Sequence, residues 1–182
     1  MKCALAAFLF LVMASTSLAD VESGPALKSA VPSLEALAAT GASAGKVVFF
    51  ATERAKKPTI YVFIRHDQWS RPMARFLKGI DKAAKNAGSA AVVNVWLTDE
   101  PEALKTQLPK VQESLKFEAS TLAIYEKGKG APNDWAINGD AHATVIIAAD
   151  GKVTKTYGFV SVNETLVEDV VKSLREAINP TE

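Results

Sequence analysis

Apolar residues along the chain fall into short continuous runs and runs with helical spacing. Residues 59–65 and 90–97 are continuous runs rich in β-branched and aromatic residues, which is typical of strands buried on both faces. Between them, apolar positions recur every three or four residues from Met73 to Ala87, and Gly88 stands where the helix would end. This order predicts a strand, a helix and a second strand, with the two strands parallel.

The segments on either side of this unit predict further elements. Residues 33–39 favour a short helix, and residues 46–51 favour an edge strand. After the second buried strand, Asp99 and Glu102 have the spacing of a capping box and precede an amphipathic helix. Pro109 lies inside that helix, so we expect a kink there or two separate pieces.

The C-terminal part combines a hairpin with a last helix. Two apolar runs within residues 144–157 flank Asp150-Gly151, which is a strong signal for a tight hairpin turn. An apolar stripe after the hairpin predicts a helix that Ser161 and Glu164 would cap. The hairpin adds antiparallel strands to the parallel pair, so the pattern predicts an α/β fold with a mixed sheet and helices on both faces.

The first residues have the features of an export signal. A basic start is followed by an apolar run and by Ser17-Leu18-Ala19, so residues 1–19 are interpreted as a cleaved signal peptide. The apolar run is too short to cross a bilayer, so we expect no stable membrane insertion after cleavage and a periplasmic or extracellular location. Residues 20–45 are rich in small residues and are interpreted as an N-terminal lead before a domain at residues 46–182.

Charge and cysteine content limit the classes of partner and chemistry. Without Lys2, which leaves with the signal, the chain has 20 basic and 20 acidic residues, so neither nucleic acid nor an anionic membrane is an evident partner. The basic clusters at residues 54–57 and 127–129 are interpreted as solvated turns. Cys3 is the only cysteine and lies in the signal, so the mature chain has no thiol.

Three segments carry a resemblance to a known superfamily: the buried strand at residues 60–64, the motif Trp69-Ser70-Arg71-Pro72-Met73, and the stretch from Trp135-Ala136-Ile137-Asn138 through residues 143–147 to Asp150-Gly151-Lys152-Val153. They resemble the thioredoxin-like superfamily, especially its exported redoxin and thiol-disulfide interchange members, from residue 59 to residue 178. The resemblance implies a thioredoxin-like α/β fold, with a central mixed sheet flanked by helices on both faces.

The chain departs from this family at the positions that carry its chemistry. In the alignment that the resemblance implies, Ser70 replaces the attacking cysteine, Met73 replaces the resolving cysteine, and His142 or Ala141 replaces the cis-proline. Thiol-disulfide exchange requires a thiolate, which neither a hydroxyl nor a thioether supplies. We therefore expect no oxidoreductase activity and no cofactor, and a binding or interaction module for an unknown protein or small ligand.

Each motif residue has a structural interpretation beside a functional one. Ser70 is interpreted as a helix N-cap or as a contact to an anionic ligand. Met73 shares the spacing of the helix's apolar residues and is interpreted as core packing. Trp69 is either a surface anchor for a partner or is partly buried against the helix.

The alternative hypothesis is a metal site or a hydrolytic site near the same motif. His66, Asp67, His142 and Asp140 have side chains that suit zinc or copper, although their spacing is not that of a known metal motif. Ser70, His142 and Asp67 also supply the residue types of a hydrolytic triad, without the Gly-x-Ser-x-Gly sequence around the serine.

Overall fold

A mixed sheet of seven strands organises residues 21–180, the part of the chain that the computed structural model describes. The strands are β1 (Glu35–Ala38), β2 (Val47–Phe49), β3 (Thr59–Arg65), β4 (Ala91–Leu97), β5 (Ser120–Tyr125), β6 (Ala143–Ala149) and β7 (Lys152–Phe159). Their order across the sheet is β2-β1-β5-β4-β3-β6-β7, in which β3, β4 and β5 are parallel and the other neighbours are antiparallel. Cys3 and the predicted signal peptide lie outside the described residues.

Four α-helices accompany the strands in this part of the chain: α1 (Phe50–Glu53), α2 (Arg71–Ala87), α3 (Pro101–Leu115) and α4 (Val167–Ile178). The helix α2 ends at Gly88, whose φ of 72° is a conformation that favours glycine. Between residues 21 and 180, no helix is long and apolar enough to span a membrane.

The predicted central unit is confirmed. The strand β3 is buried along nearly its whole length and pairs with β4 on one side and β6 on the other. The hairpin is also confirmed, and its turn residues Asp150 and Gly151 have φ values of 51° and 72°. Positive φ at both positions is what a tight two-residue hairpin turn requires.

The three long helices lie on one face of the sheet, and short segments cover the other face. All three long helices, α2, α3 and α4, bury apolar side chains on one face. The chain advances across the sheet in one direction from β3 to β4 to β5. Because both crossover connections are right-handed, α2 and α3 lie on the same side of the sheet. The opposite face is covered by Phe50 of α1, by Trp135 of a 3₁₀ turn (Asn133–Trp135), and by the lead residue Leu34.

The predicted helix at residues 33–39 is wrong, because this segment contains β1. The strand β1 pairs with both β2 and β5. Leu34, Ala36 and Ala38 are buried while the residues between them are more exposed, which is the period of a strand. Pairing on both sides supplies backbone hydrogen bonds that outweigh the helical propensity of an alanine-rich sequence.

The rest of the lead also packs on the sheet. The amide N–H of Lys28 donates to the Val153 carbonyl at 2.7 Å, and the N–H of Val31 donates to the Gly151 carbonyl at 2.9 Å. Val21 donates to the carbonyl of Gly158 in β7 at 3.3 Å. Residues 21–45 therefore belong to the same folded unit as the sheet, and residue 46 does not mark the start of the packed domain.

The predicted capping box of α3 is wrong, and of the two outcomes expected at Pro109 the helix does not divide into two separate pieces. Its N-cap is Glu100, which makes no side-chain capping bond. Asp99, the predicted cap, instead accepts a hydrogen bond from the Lys129 backbone N–H at 3.1 Å. No capping box with Glu102 forms. The helix also continues through Pro109 as one element, since the proline removes one backbone donor while the buried apolar face of the helix stays packed in the core.

The cap predicted from Ser161 and Glu164 is also wrong. Asn163 performs this role, because its side-chain oxygen accepts from the Thr165 backbone N–H at 2.9 Å, at the start of a 3₁₀ turn (Glu164–Leu166) that leads into α4. The Glu164 carboxylate instead lies 3.3 Å from the Arg75 guanidinium on α2. The cap is therefore an asparagine that lies two residues after Ser161.

Candidate functional site

The degenerate motif forms the start of α2. Ser70 is the N-cap, and its hydroxyl accepts a hydrogen bond from the Met73 backbone N–H at 3.4 Å. Pro72 lies in the first turn, where a missing N–H costs no helical bond. Met73 is 1% exposed and packs in the core beneath the sheet's helical face. The interpretations of Ser70 as a cap and Met73 as a core residue are confirmed.

Trp69 lies at the border between this motif and the core. Its side chain is partly buried and packs against the core, and its ring centroid is 5.6 Å from that of Trp96 on β4. Arg71 is exposed at the first position of α2. The packing favours the partly buried interpretation of Trp69 over that of a free surface anchor.

An ion pair follows directly after β3. The Arg65 guanidinium donates from Nε and Nη2 to the two carboxylate oxygens of Asp67, at 3.2 and 2.7 Å, and from Nη1 to the Gly139 carbonyl. The hydrogen bond from Arg65 lowers the pKa of Asp67 below its ordinary value, and the same bond raises the pKa of Arg65. This ion pair keeps Asp67 charged and ties the end of β3 to the loop before β6.

The two histidines lie near the same end of the sheet. His66 follows β3 directly, and the His142 carbonyl accepts from the Arg65 backbone N–H at 3.3 Å. Across residues 21–180, no group of three or more histidine, cysteine, aspartate or glutamate side chains is arranged to hold a metal ion. The zinc or copper site considered for His66, Asp67, His142 and Asp140 is therefore not assembled.

The triad considered for Ser70, His142 and Asp67 is not assembled either. The Ser70 hydroxyl caps α2, and the Asp67 carboxylate is bound by Arg65. None of the hydrogen bonds among the described residues joins any two of these three side chains. The geometry gives no support to a serine nucleophile.

The position of the expected cis-proline contains ordinary trans peptides. Every peptide bond within the described range is trans, and both candidate residues use their N–H groups. His142 donates to the Phe159 carbonyl at 2.8 Å, and Ala141 donates to the Asn138 carbonyl at 3.2 Å. A proline at either position would lose one of these bonds. Which of the two corresponds to the family's proline stays open.

Two adjoining cavities open at the carboxyl ends of β3 and β4, beside the loop that follows β5, and we call them the strand-end cavities. They share Arg65, Leu97 and Lys129. One has a volume of about 260 Å³ and is lined further by His66, Asp67, Thr98, Asp99 and Glu100. The other has a volume of about 240 Å³ and is lined further by Gly130, Ala131, Ile137, Asn138 and Gly139. Acidic groups thus line the first cavity, and apolar side chains and glycines line the second.

A second ion pair forms one wall of both cavities. The Lys129 ammonium lies 3.0 Å from the Asp99 carboxylate, and the Lys129 backbone N–H donates to the same side chain at 3.1 Å. These contacts hold the pKa of Asp99 below its ordinary value. The interpretation of residues 127–129 as only a solvated turn is therefore incomplete, because Lys129 helps to form the cavities.

Sequence analysis did not identify these cavities, although one signal was available. Ligands of open α/β sheets bind outside the carboxyl ends of the parallel strands. Arg65 and Leu97 are the last residues of two strands that the sequence predicted. The third shared residue, Lys129, lies in a loop whose path no local pattern fixes.

Comparisons with known proteins find similarity in structure only. No protein-family model and no curated protein matches the chain. A Chlorobium tepidum protein provisionally named thiol:disulfide interchange protein DsbE matches with a TM-score of 0.61 at 20% identity, covering 88% of this chain and 100% of the other. A DsbF homologue from Corynebacterium diphtheriae matches with a TM-score of 0.61 at 12% identity, covering 82% and 87%.

A third similar structure is a secreted disulfide oxidoreductase from Mycobacterium tuberculosis that is homologous to Escherichia coli DsbE. It matches with a TM-score of 0.56 at 10% identity, covering 78% of this chain and 94% of the other. At these identities the similarity establishes the fold. The chain has a thioredoxin-like fold, as its sequence predicted.

Proposed function

We propose that this thioredoxin-like chain is an exported binding protein that carries out no thiol-disulfide exchange, and that it binds a polypeptide segment at the strand-end cavities. One observation carries the proposal. The two positions at which the family's thiolates act hold Ser70, which caps α2, and Met73, which is buried in the core.

The absence of exchange chemistry follows from the residue types. Exchange begins when a thiolate attacks a disulfide sulfur, and residues 20–182 contain no cysteine. Export is supported by the signal-like residues 1–19 and by the similar structure that is described as a secreted protein. The fold is thus used here without the chemistry that its structural neighbours are named for.

The cavities favour a ligand that combines backbone polar groups with side chains. Their walls place the cationic Arg65 and Lys129 between an acidic side and an apolar side. Binding sites are usually clefts of roughly 300–1,000 Å³ in which polar groups converge on the ligand, and the two adjoining cavities together offer a space of this order. An extended polypeptide offers N–H and carbonyl groups to these charges and an apolar side chain to Leu97 and Ile137.

The first experiment tests for the missing chemistry. Insulin reduction by dithiothreitol is followed as turbidity, with and without the purified protein. We expect the same time course in both, because the protein supplies no thiolate. Turnover above the blank that contains only the reductant would contradict this part of the proposal.

The second experiment tests the location of binding. Reduced and carboxymethylated α-lactalbumin, an unfolded polypeptide, is titrated into ¹⁵N-labelled protein, and amide shifts are expected at residues that line the strand-end cavities. Lys129→Ala should weaken binding severalfold. Lys127→Ala is the matched control, because this exposed lysine pairs with Glu35 and lines neither cavity. Equal effects of the two variants would contradict the assigned location, and absence of binding would contradict a polypeptide ligand.

A further inference from the structure

A cavity of about 420 Å³ lies between the helices α2 and α4, and we call it the helix groove. It is lined by residues of α2 between Gly79 and Ala87 and by residues between Val167 and Asn179 at α4. The two helices approach closely at its first end, where a Cβ at Gly79 would lie 2.7 Å from Val167 Cγ2. The groove extends from this contact to the C-terminal ends of both helices, and it shares no residue with the strand-end cavities.

The floor of the helix groove is apolar. Leu174 is 1% exposed and belongs to the core, and Val167 and Ile178 pack against the core from partly buried positions. Ala83 and Val171 line the groove between them and are also partly buried. A hydrocarbon group on this floor would lose contact with water on one side and cover these side chains on the other, which is favourable.

The charged side chains of the helix groove are both cationic. Lys82 lines it from α2 and Arg175 from α4, and no acidic side chain of the described chain lines it. Among residues 21–180, neither cation forms an ion pair or a side-chain hydrogen bond. Three other cations of α2 do have acidic partners, in the pairs Arg75–Glu164, Lys78–Asp81 and Lys85–Glu118.

The acidic residues that are nearest in sequence do not neutralise these two cations. Asp81, beside Lys82, is 1% exposed and is bound by two backbone N–H groups of the turn before β5. Glu176, beside Arg175, lines a different cavity between α4 and β7. Glu168 is about two helical turns from Arg175 and does not line the groove. The groove therefore keeps a positive charge that a ligand can complement.

We propose that the helix groove binds a monomeric medium-chain carboxylic acid, with its hydrocarbon chain on the apolar floor and its carboxylate between Lys82 and Arg175. From Gly79 to Ala87 the groove is roughly 12 Å long, at about 1.5 Å per residue. An extended chain of about ten carbons has a similar length, because each carbon–carbon bond measures about 1.5 Å and advances the chain by somewhat less. The cavity volume also lies within the range of roughly 300–1,000 Å³ that is usual for small ligands.

The ends of the two helices make both cations necessary. The free carbonyl groups at a helix C-terminus carry a partial negative charge, which disfavours an anion nearby. Lys82 and Arg175 must outweigh this effect, so the loss of either should weaken binding. If the two cations only stabilised the helix ends, their removal would lower stability without changing the affinity for a carboxylate.

Titration of sodium decanoate into ¹⁵N-labelled protein, below the concentration at which decanoate forms micelles, tests the site. Amide shifts should saturate and should concentrate in residues 79–87 and 167–179. Decyltrimethylammonium has the same chain with a cationic head, so it should bind much more weakly. Butanoate has the same head with a short chain and should bind roughly tenfold more weakly or worse, because each buried CH₂ group contributes to affinity. Absence of saturable shifts, shifts centred elsewhere, or equal affinities of the three compounds would overturn the proposal.

Matched variants test the assigned charges. Lys82→Gln and Arg175→Gln should each weaken decanoate binding about two- to fivefold, the range that corresponds to the loss of one exposed ion pair. Lys172→Gln is the matched control, because this exposed lysine of α4 does not line the groove and its loss removes the same charge. The amide spectrum of each variant shows whether it is folded. Equal effects of Arg175→Gln and Lys172→Gln would overturn the assigned site, and binding to phosphatidylglycerol vesicles without binding of monomeric decanoate would overturn the assigned ligand.

Discussion

Replacing Asp81 should destabilise the fold more than the loss of an ordinary helix-surface residue. Its carboxylate, on α2, is 1% exposed and accepts from the backbone N–H of Ala119 at 3.0 Å and of Glu118 at 3.1 Å. The Lys78 ammonium lies 3.8 Å away. This one side chain fastens α2 to the turn that leads into β5.

The magnitude follows from these two backbone contacts. A hydrogen bond to a charged group contributes about 1.5–3 kcal/mol net, and the removal of the acceptor also leaves donors unpaired. We therefore expect Asp81→Ala to lower the free energy of unfolding by about 3–5 kcal/mol. Asp81→Asn keeps an acceptor of the same shape but loses the charge, so its loss should be smaller, about 1–3 kcal/mol.

Equilibrium unfolding in urea, followed by tryptophan fluorescence, measures both losses. Glu118→Ala is the matched control, because this neighbouring carboxylate is 62% exposed and pairs with Lys85 at the surface. Its loss should stay below about 1 kcal/mol. The reasoning is refuted if Asp81→Ala costs no more than Glu118→Ala, or if the asparagine variant is the less stable of the two Asp81 variants.

Three further changes have expected outcomes. Asn94 is fully buried in β4, and its side-chain amide has no hydrogen-bond partner among the described protein atoms. Asn94→Leu should therefore raise the free energy of unfolding in urea by about 1–2 kcal/mol, and a lower value than that of the wild type would contradict this. A Cβ at Gly79 would lie 2.7 Å from Val167 Cγ2, so Gly79→Ala should lower the free energy of unfolding by about 1–3 kcal/mol, although alanine favours helices more than glycine does. Adding Val167→Ala should recover part of this loss. The lowered pKa of Asp67 stabilises the fold above the pKa of this group in the unfolded chain, and this stabilisation is lost as the pH falls through the lower pKa of the folded state. Arg65→Met should raise the pKa of Asp67 back toward 3.8, as measured from its ¹³C carboxyl shift. An unchanged pKa would refute the role of Arg65.

The parts of the fold that sequence predicted are those with a strong local period. The strands β3 and β4 are buried on both faces and read as continuous apolar runs, and α2 has a regular apolar stripe with a glycine at its end. The strand β1 was missed because alternation in an alanine-rich segment is a weak signal. Its conformation depends on pairing with β2, which is a separate segment, and with β5, which is distant in sequence.

The roles of the motif residues could be predicted from local sequence, whereas the strand-end cavities could not. The roles of Ser70 and Met73 follow from their positions at the start of one helix, so local sequence was sufficient. The strand-end cavities require chain segments after β3, after β4 and before β6 to converge, and the contact of Lys129 with Asp99 joins two of them. Such convergence depends on loop paths that single residues do not determine.

The bonds of the lead to β7 also constrain the order in which the chain can fold. Val21, near the start of the described chain, donates to Gly158, near its end. The carbonyl of Val21 is so close to Gly158 that a Cβ at this position would overlap it. Loops that join distant residues carry a high entropic cost, so such contacts form late. A chain that crosses a membrane from its N-terminus would therefore hold the lead without β7, the strand that it covers, until nearly all of the chain had emerged.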